Sequence, residues 1–112
     1  MYGISDTELS VITRTFEANE RISAVILYGS RAKGNYKPFS DVDLTLVGDN
    51  LSRKDINYIY AAFDESSLPY KFDISIFNSL KNEKLIEHIN RCGIVIYSRE
   101  KNVEKLWRKN RW

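Results

Sequence analysis

Two aspartates, Asp41 and Asp43, stand two residues apart near the end of the run GSRAKGNYKPFSDVDL, residues 29–44, and a third, Asp73, lies in a separate strand-like segment. Aspartate is depleted from β-strands, yet Asp41 and Asp43 sit among good strand formers. In a strand, side chains at i and i+2 share a face, so the two carboxylates stand side by side. Adjacent carboxylates repel, and a cation is the usual remedy. Just upstream, the Gly29–Ser30 turn has the composition of an anion site. Glycine lets the backbone approach a ligand closely, and free N–H groups at a helix start favour negative charge. Metal beside phosphate is the chemistry of phosphoryl and nucleotidyl transfer.

The rest of the run supports that reading. The Ser30 hydroxyl can cap the short helical turn formed by residues 31–33 or donate to a phosphate. Ala32 keeps the turn compact. Lys33 offers a positive charge to a triphosphate and Arg31 a second; for both, a solvated surface charge is the competing interpretation. Gly34 allows a sharp exit into the loop 35–39, which Pro38 stiffens. Tyr36 and Phe39 are expected to pack the loop rather than stack on a base.

These residues must be positioned by regular elements, and the hydrophobic periodicity predicts them. Ser5 and Glu8 form a capping box, and Leu9, Ile12 and Phe16 recur at helical spacing, so a helix is expected over residues 6–19. Residues 22–28 form an almost continuous apolar run, as a central strand would. In the strand predicted over 40–47, Val42, Leu44 and Leu46 share one face and Asp41, Asp43 and Thr45 the other. Ser52 opens a helix with the stripe Ile56, Ile59, Tyr60 and Phe63. The strand over 71–77 turns Phe72, Ile74 and Ile76 one way and Asp73 with Ser75 the other. A third helix directs Leu85, Ile86 and Ile89 inward and stops at Gly93, and residues 94–97 make a short last strand.

The two carboxylate-bearing strands are joined by a helix of about a dozen residues, which suits a right-handed crossover and parallel pairing. As neighbours they would bring Asp73 within one strand spacing, ~4.8 Å, of the strand carrying the pair. Magnesium takes oxygen ligands and keeps positions open for substrate phosphates. Two such ions can hold both the attacking and the leaving oxygen of an in-line displacement.

Composition sets the outer limits. At 112 residues the chain is one domain of ordinary apolar and charged content. No apolar run is long enough to cross a membrane and the N-terminus lacks a signal-peptide pattern, so a cytoplasmic protein is expected. The single cysteine, Cys92, excludes an internal disulfide and a Cys-rich zinc site, and is expected in the core. The lone histidine, His88, is expected at a solvated helix position with no metal or catalytic role. Net charge is +2, but residues 99–112 hold six basic and two acidic residues, a net +4, which leaves −2 on residues 1–98. The expected organisation is a domain over 1–98 and a basic, helical C-terminal tail over 99–112. In the tail, Val103, Leu106 and Trp107 have helical spacing, and either packing on the domain or docking a partner accounts for them.

Gly29, Ser30, Ala32, Gly34, Ser40, Asp41, Asp43 and Leu44 resemble the signature of the polymerase-β-like nucleotidyltransferases. Within them the chain is similar to the minimal nucleotidyltransferase (MNT) family over residues 6–97, including Leu68-Pro69 just before the strand of Asp73. The resemblance implies an α/β (α+β) domain with a mixed sheet of four or five strands and helices covering its apolar face. It implies that Gly29 and Ser30 hold ATP or another nucleoside triphosphate. It implies that Asp41 and Asp43 hold two Mg2+ ions, with Mn2+ as a substitute, and that Asp73 is the third ligand and a base for the acceptor hydroxyl. MNT proteins pair with helical HEPN proteins, ribonuclease toxins in several systems, and some neutralise them by transferring AMP to a tyrosine.

The leading expectation is therefore a magnesium-dependent adenylyltransferase acting as the antitoxin of a HEPN–MNT pair. A non-catalytic antitoxin that masks its partner by binding alone is the second reading. An aminoglycoside-type small-molecule nucleotidyltransferase is the third, and such enzymes use an added helical domain for the substrate. Membrane association and direct nucleic-acid binding are not expected.

Overall fold

The computed structural model describes residues 1–99, so the expected helix around Val103, Leu106 and Trp107 lies outside the described residues. Helix α1 (Asp6–Glu17) opens on the expected capping box. The Glu8 N–H donates to Ser5 Oγ at 3.1 Å and the Ser5 N–H to Glu8 Oε1 at 3.0 Å, satisfying two donors that a helix start otherwise leaves unpaired. One stripe of α1 buries Ile12 and Phe16. Strand β1 (Ile22–Tyr28) follows, buried over nearly its whole length. A single helical turn, α2 (Ser30–Lys33), leads through a loop to β2 (Val42–Gly48). Helix α3 (Arg53–Glu65) starts on a second capping box, between Ser52 and Asp55. The buried Asp55 carboxylate also pairs with Arg21 and accepts from Asn19 Nδ2 at 2.8 Å, which ties α3 to the turn after α1. Strand β3 (Phe72–Ile76), a 3-10 turn (Phe77–Ser79), helix α4 (Glu83–Cys92) and strand β4 (Ile94–Ser98) complete the order.

The sheet order is β3-β2-β1-β4. β1 runs antiparallel to β2 and β4, while β2 and β3 pair in parallel through the α3 crossover. On one face Val25, Leu27, Leu44, Leu46 and Ile74 pack with Ile12 and Phe16 of α1 and Ile59 and Phe63 of α3. The alternate residues Ile26 and Tyr28 face the other way and pack with Ile89 and Leu85 of α4. Helices thus cover the sheet as expected, and α4 takes its second face, which the expectation did not specify. Because the central strand is apolar on both sides, the carboxylate-bearing face has to be partly roofed, and α4 does it.

Arg31 is a correction. Its side chain, expected to reach a triphosphate, is only 1% exposed. Nε and Nη2 donate to the Ser40 carbonyl at 3.1 and 2.8 Å, Nη2 also to the Pro38 carbonyl at 3.3 Å, and Nη1 to the Tyr2 carbonyl at 3.0 Å. The guanidinium lies 5.3 Å from the Tyr36 ring centroid and 5.0 Å from that of Tyr70. Arg31 thus staples the loop between α2 and β2 to the N-terminal segment. At the end of the described residues the Arg99 N–H donates to the Ser23 carbonyl at 2.9 Å, and its side chain donates to the Glu17 and Asn19 carbonyls, both at 3.0 Å.

A lysine carries the charge but not the planar fork that serves three carbonyls. Arg31→Lys is expected to lower the unfolding free energy by about 1–3 kcal/mol, because buried carbonyls lose their donors. Urea denaturation measures this; a solvated Arg31 would leave the midpoint unchanged.

Candidate active site

The parallel register places Asp43 directly opposite Asp73, and the antiparallel register places it opposite Tyr28. Asp41 immediately precedes β2 rather than lying within it. Asp43 is half-buried, whereas Asp41 and Asp73 are exposed. Burial, and then the charges of Asp73 and Asp41, push the Asp43 pKa up to about 6. The structure thus brings the three sequence-predicted carboxylates within electrostatic reach of one another. Among the described residues the ion pairs are Arg21–Asp55 and Arg91–Glu87, so no lysine or arginine neutralises the group. The floor beneath is polar: Ser75 Oγ donates to Oγ1 of the fully buried Thr45 at 2.9 Å. Burial raises the pKa of the neighbouring Tyr28 phenol; a hydrogen bond with Ser75 works against this, and the Asp73 and Asp43 charges reinforce it.

The turn residues adjoin this group. Gly29 adopts φ 77°, ψ −157°, a region essentially reserved for glycine. A Cβ built there would land on the Asp43 carboxylate. Glycine is therefore required by the contact with Asp43 as well as by any approach of a ligand. The Lys33 N–H donates to the Gly29 carbonyl at 3.1 Å and the Gly34 N–H to the Ser30 carbonyl at 2.9 Å, closing α2. Lys33 is exposed, as a contact to a triphosphate requires.

Two features escaped the sequence. His88 is not a solvated helix residue: it is half-buried, and its Nε2 accepts the Gly29 N–H at 3.1 Å. Nothing local signals this contact, because it depends on α4 lying over β1. Phe39, expected to pack the loop, is 83% exposed, whereas Tyr36 does pack, against Arg31.

Among the described residues no group of three or more Asp, Glu, His or Cys side chains is placed to hold a metal ion by itself. Magnesium at phosphate-transfer sites takes one or two carboxylates and completes its shell with waters and phosphate oxygens. Neighbouring carboxylates with no ion-pair partner among the described residues have the oxygen-donor chemistry that such a divalent ion takes.

A mixed sheet that sets paired aspartates beside a Gly-Ser turn is the arrangement expected of a nucleotidyltransferase domain. Residues 10–102 match the family model "Polymerase beta, Nucleotidyltransferase", and the chain belongs to that family. It is 32% identical over 106 residues to the probable protein adenylyltransferase MntA of Haemophilus influenzae, covering 91% of this chain and 90% of MntA. Its fold is similar to that of a toxin–antitoxin crystallised with AMP-PNP (TM-score 0.73, 17% identity, 91% of this chain and 82% of the other). It is also similar to a chain of the complex of a tri-AMPylated Shewanella oneidensis HEPN toxin with an MNT antitoxin (TM-score 0.66, 13% identity, 91% and 78%).

Since the folded pKa of Asp43 lies above its ordinary value, the native state binds the extra proton between about pH 4 and 6. The Asp43 contribution to stability therefore falls as pH rises through that window and is unfavourable above it. Asp43→Asn is expected to melt at the same or a higher temperature than the parent at pH 8. Magnesium with ATP should raise the parent's Tm and leave that of Asp43→Asn unmoved. The parent's response should fade as pH falls through about 6, where a proton competes with the ion. Differential scanning fluorimetry across pH measures all three, and an undiminished magnesium–ATP response in Asp43→Asn rules out the metal site.

Proposed function

We propose that this protein is a metal-dependent protein adenylyltransferase, the antitoxin of a HEPN–MNT pair, which moves AMP from ATP to a tyrosine hydroxyl of its helical partner. The observation that carries the reading is the Asp43–Asp73 register beside the Gly29–Ser30 turn. The likeness to MntA, a probable protein adenylyltransferase, and to the MNT antitoxin bound to its AMPylated toxin supports the choice of acceptor.

In this reading Gly29 shapes the turn, the Ser30 hydroxyl and the backbone donors of α2 bind phosphate oxygens, and Lys33 screens their charge. Asp41 and Asp43 hold two Mg2+ ions, replaceable by Mn2+, with Asp73 as the third ligand. When bound, the ions supply Lewis-acid stabilisation of charge on the phosphate oxygens. The acceptor oxygen forms a bond to the α-phosphorus, the bond to pyrophosphate breaks, and the hydroxyl proton passes to the exposed Asp73 carboxylate. No helix of the described residues is long and apolar enough to cross a membrane, and the proposed site of action is the cytoplasm.

With ATP, magnesium and the HEPN partner, intact-mass measurement should find the partner heavier by one or more AMP units. Asp41→Asn and Asp73→Asn should abolish the gain, the latter with ATP binding retained. Full neutralisation of the partner by an Asp41/Asp43 double variant, without mass gain, would point instead to masking by binding.

The segment beyond Arg99 is proposed to dock that partner, with Trp107 and Trp112 as aromatic anchors and the surrounding basic residues steering association. Truncation after Arg99 should leave the Tm response to magnesium–ATP intact and weaken the complex at least tenfold, with a smaller salt dependence. Equal affinity of the truncated and full chains at every salt concentration would end the docking proposal.

A further inference from the structure

Helix α4 lies over the end of β1 through Ile89 and Leu85, which pack on Ile26 and Tyr28. This carries His88, the residue before Ile89, to the turn that begins at Gly29. The imidazole stands edge-on to the Tyr28 ring, with centroids 6.2 Å apart and planes at 75°. Its Nε2 accepts the Gly29 N–H at 3.1 Å, across 59 residues of sequence. An accepting Nε2 carries no proton, so the neutral ring is protonated at Nδ1. Burial, and then the positive charges of Lys33 and Arg91, lower the pKa of His88 and favour that neutral form.

The bond falls on the one residue of the turn with a glycine-only conformation. Such a conformation persists where its surroundings over-determine it. On the carbonyl side, Gly29 is held by the Lys33 N–H at 3.1 Å. On the amide side, among the described residues, it is held by His88. Rotating the peptide between Tyr28 and Gly29 breaks that bond and shifts the backbone that rests against Asp43. Because its N–H is committed to His88, Gly29 serves through its conformation, and phosphate must be met by the donors that follow it.

We propose that His88 is a positioning residue of the nucleotide site: its neutral Nε2 holds the Gly29 N–H and so fixes the phosphate turn against the Asp43 carboxylate. The proposal rests on the reading of this turn as the triphosphate cradle. Two variants of the full chain separate its hydrogen bond from its packing. His88→Phe keeps a ring beside Tyr28 without an acceptor, and His88→Gln keeps an acceptor without the ring. The readouts are hydrogen exchange of the Gly29 amide in the free protein, followed by 15N NMR, the affinity for magnesium–ATP by calorimetry, and Tm.

In His88→Phe the Gly29 amide should exchange at least tenfold faster and magnesium–ATP affinity should fall roughly tenfold, the loss of about one hydrogen bond, with Tm lower by a few degrees because the Gly29 N–H is left without its acceptor. His88→Gln should recover both protection and affinity. Parental exchange and affinity in His88→Phe overturn the proposal. So does a His88→Gln variant as impaired as His88→Phe, since only packing would then matter. Amide exchange that responds as expected in a protein with no affinity for magnesium–ATP refutes the nucleotide reading instead, and leaves His88 as a latch of the fold only, which also overturns the proposal.

Discussion

The parallel register of β2 and β3 is the constraint on which the site depends, because it forces Asp43 and Asp73 to face each other with no ion-pair partner among the described residues. Two like charges about one strand spacing apart repel by roughly 1–3 kcal/mol in a partly solvated setting. The opposing force comes from the other face of the same strands. Val42, Leu44, Leu46 and Ile74 are all buried there, and each such burial contributes about 1.5–3 kcal/mol. A slip by one residue would relieve the carboxylates and turn the whole apolar set to solvent. The apolar face wins by a wide margin, so the charge cluster is fixed by a core that does not touch it.

Periodicity and capping made most of this framework legible. The Ser5/Glu8 box and the Ser52 cap mark both long helix starts, and the nearly unbroken apolar run of β1 marks the centre of the sheet. The length of α3 implied a parallel crossover, and that alone was enough to bring Asp73 to Asp43. What stayed hidden were the contacts that join distant parts of the chain. Arg31 reads as a free charge in a basic turn. Its burial depends on Tyr2 and on Tyr70, neither of which signals a partner in sequence. His88 reads as a polar helix residue until α4 is known to cover the second face. That placement follows from Ile26 and Tyr28 alternating with Val25 and Leu27, a detail masked by a run that is apolar at every position.

These hidden contacts share a purpose. The loop between α2 and β2 has no regular structure of its own, yet it sets where Asp41 enters the site. Arg31 grips it at Pro38 and Ser40, the residue before Asp41. The opposite end of α2 is held at Gly29 by His88. One buried cation and one neutral imidazole therefore clamp the segment between the central strand and the carboxylates at both ends. Neither need touch a substrate to control how the Gly29–Ser30 turn and the aspartates meet.

The raised Asp43 pKa gives this rigidity an energetic meaning. A carboxylate that resists ionisation up to about pH 6 is one whose charge the fold solvates poorly. A flexible site would relax by moving its carboxylates apart and let water in. Here the sheet register, the Arg31 staple and the Gly29 contact each oppose that movement. The unfavourable charge is therefore retained in the free protein, and a bound cation would relieve it. A divalent ion bound by such a group lowers its pKa and stabilises the folded state by mass action. In the proposed function, occupancy of the nucleotide site would therefore be coupled to the stability of the domain through Asp43.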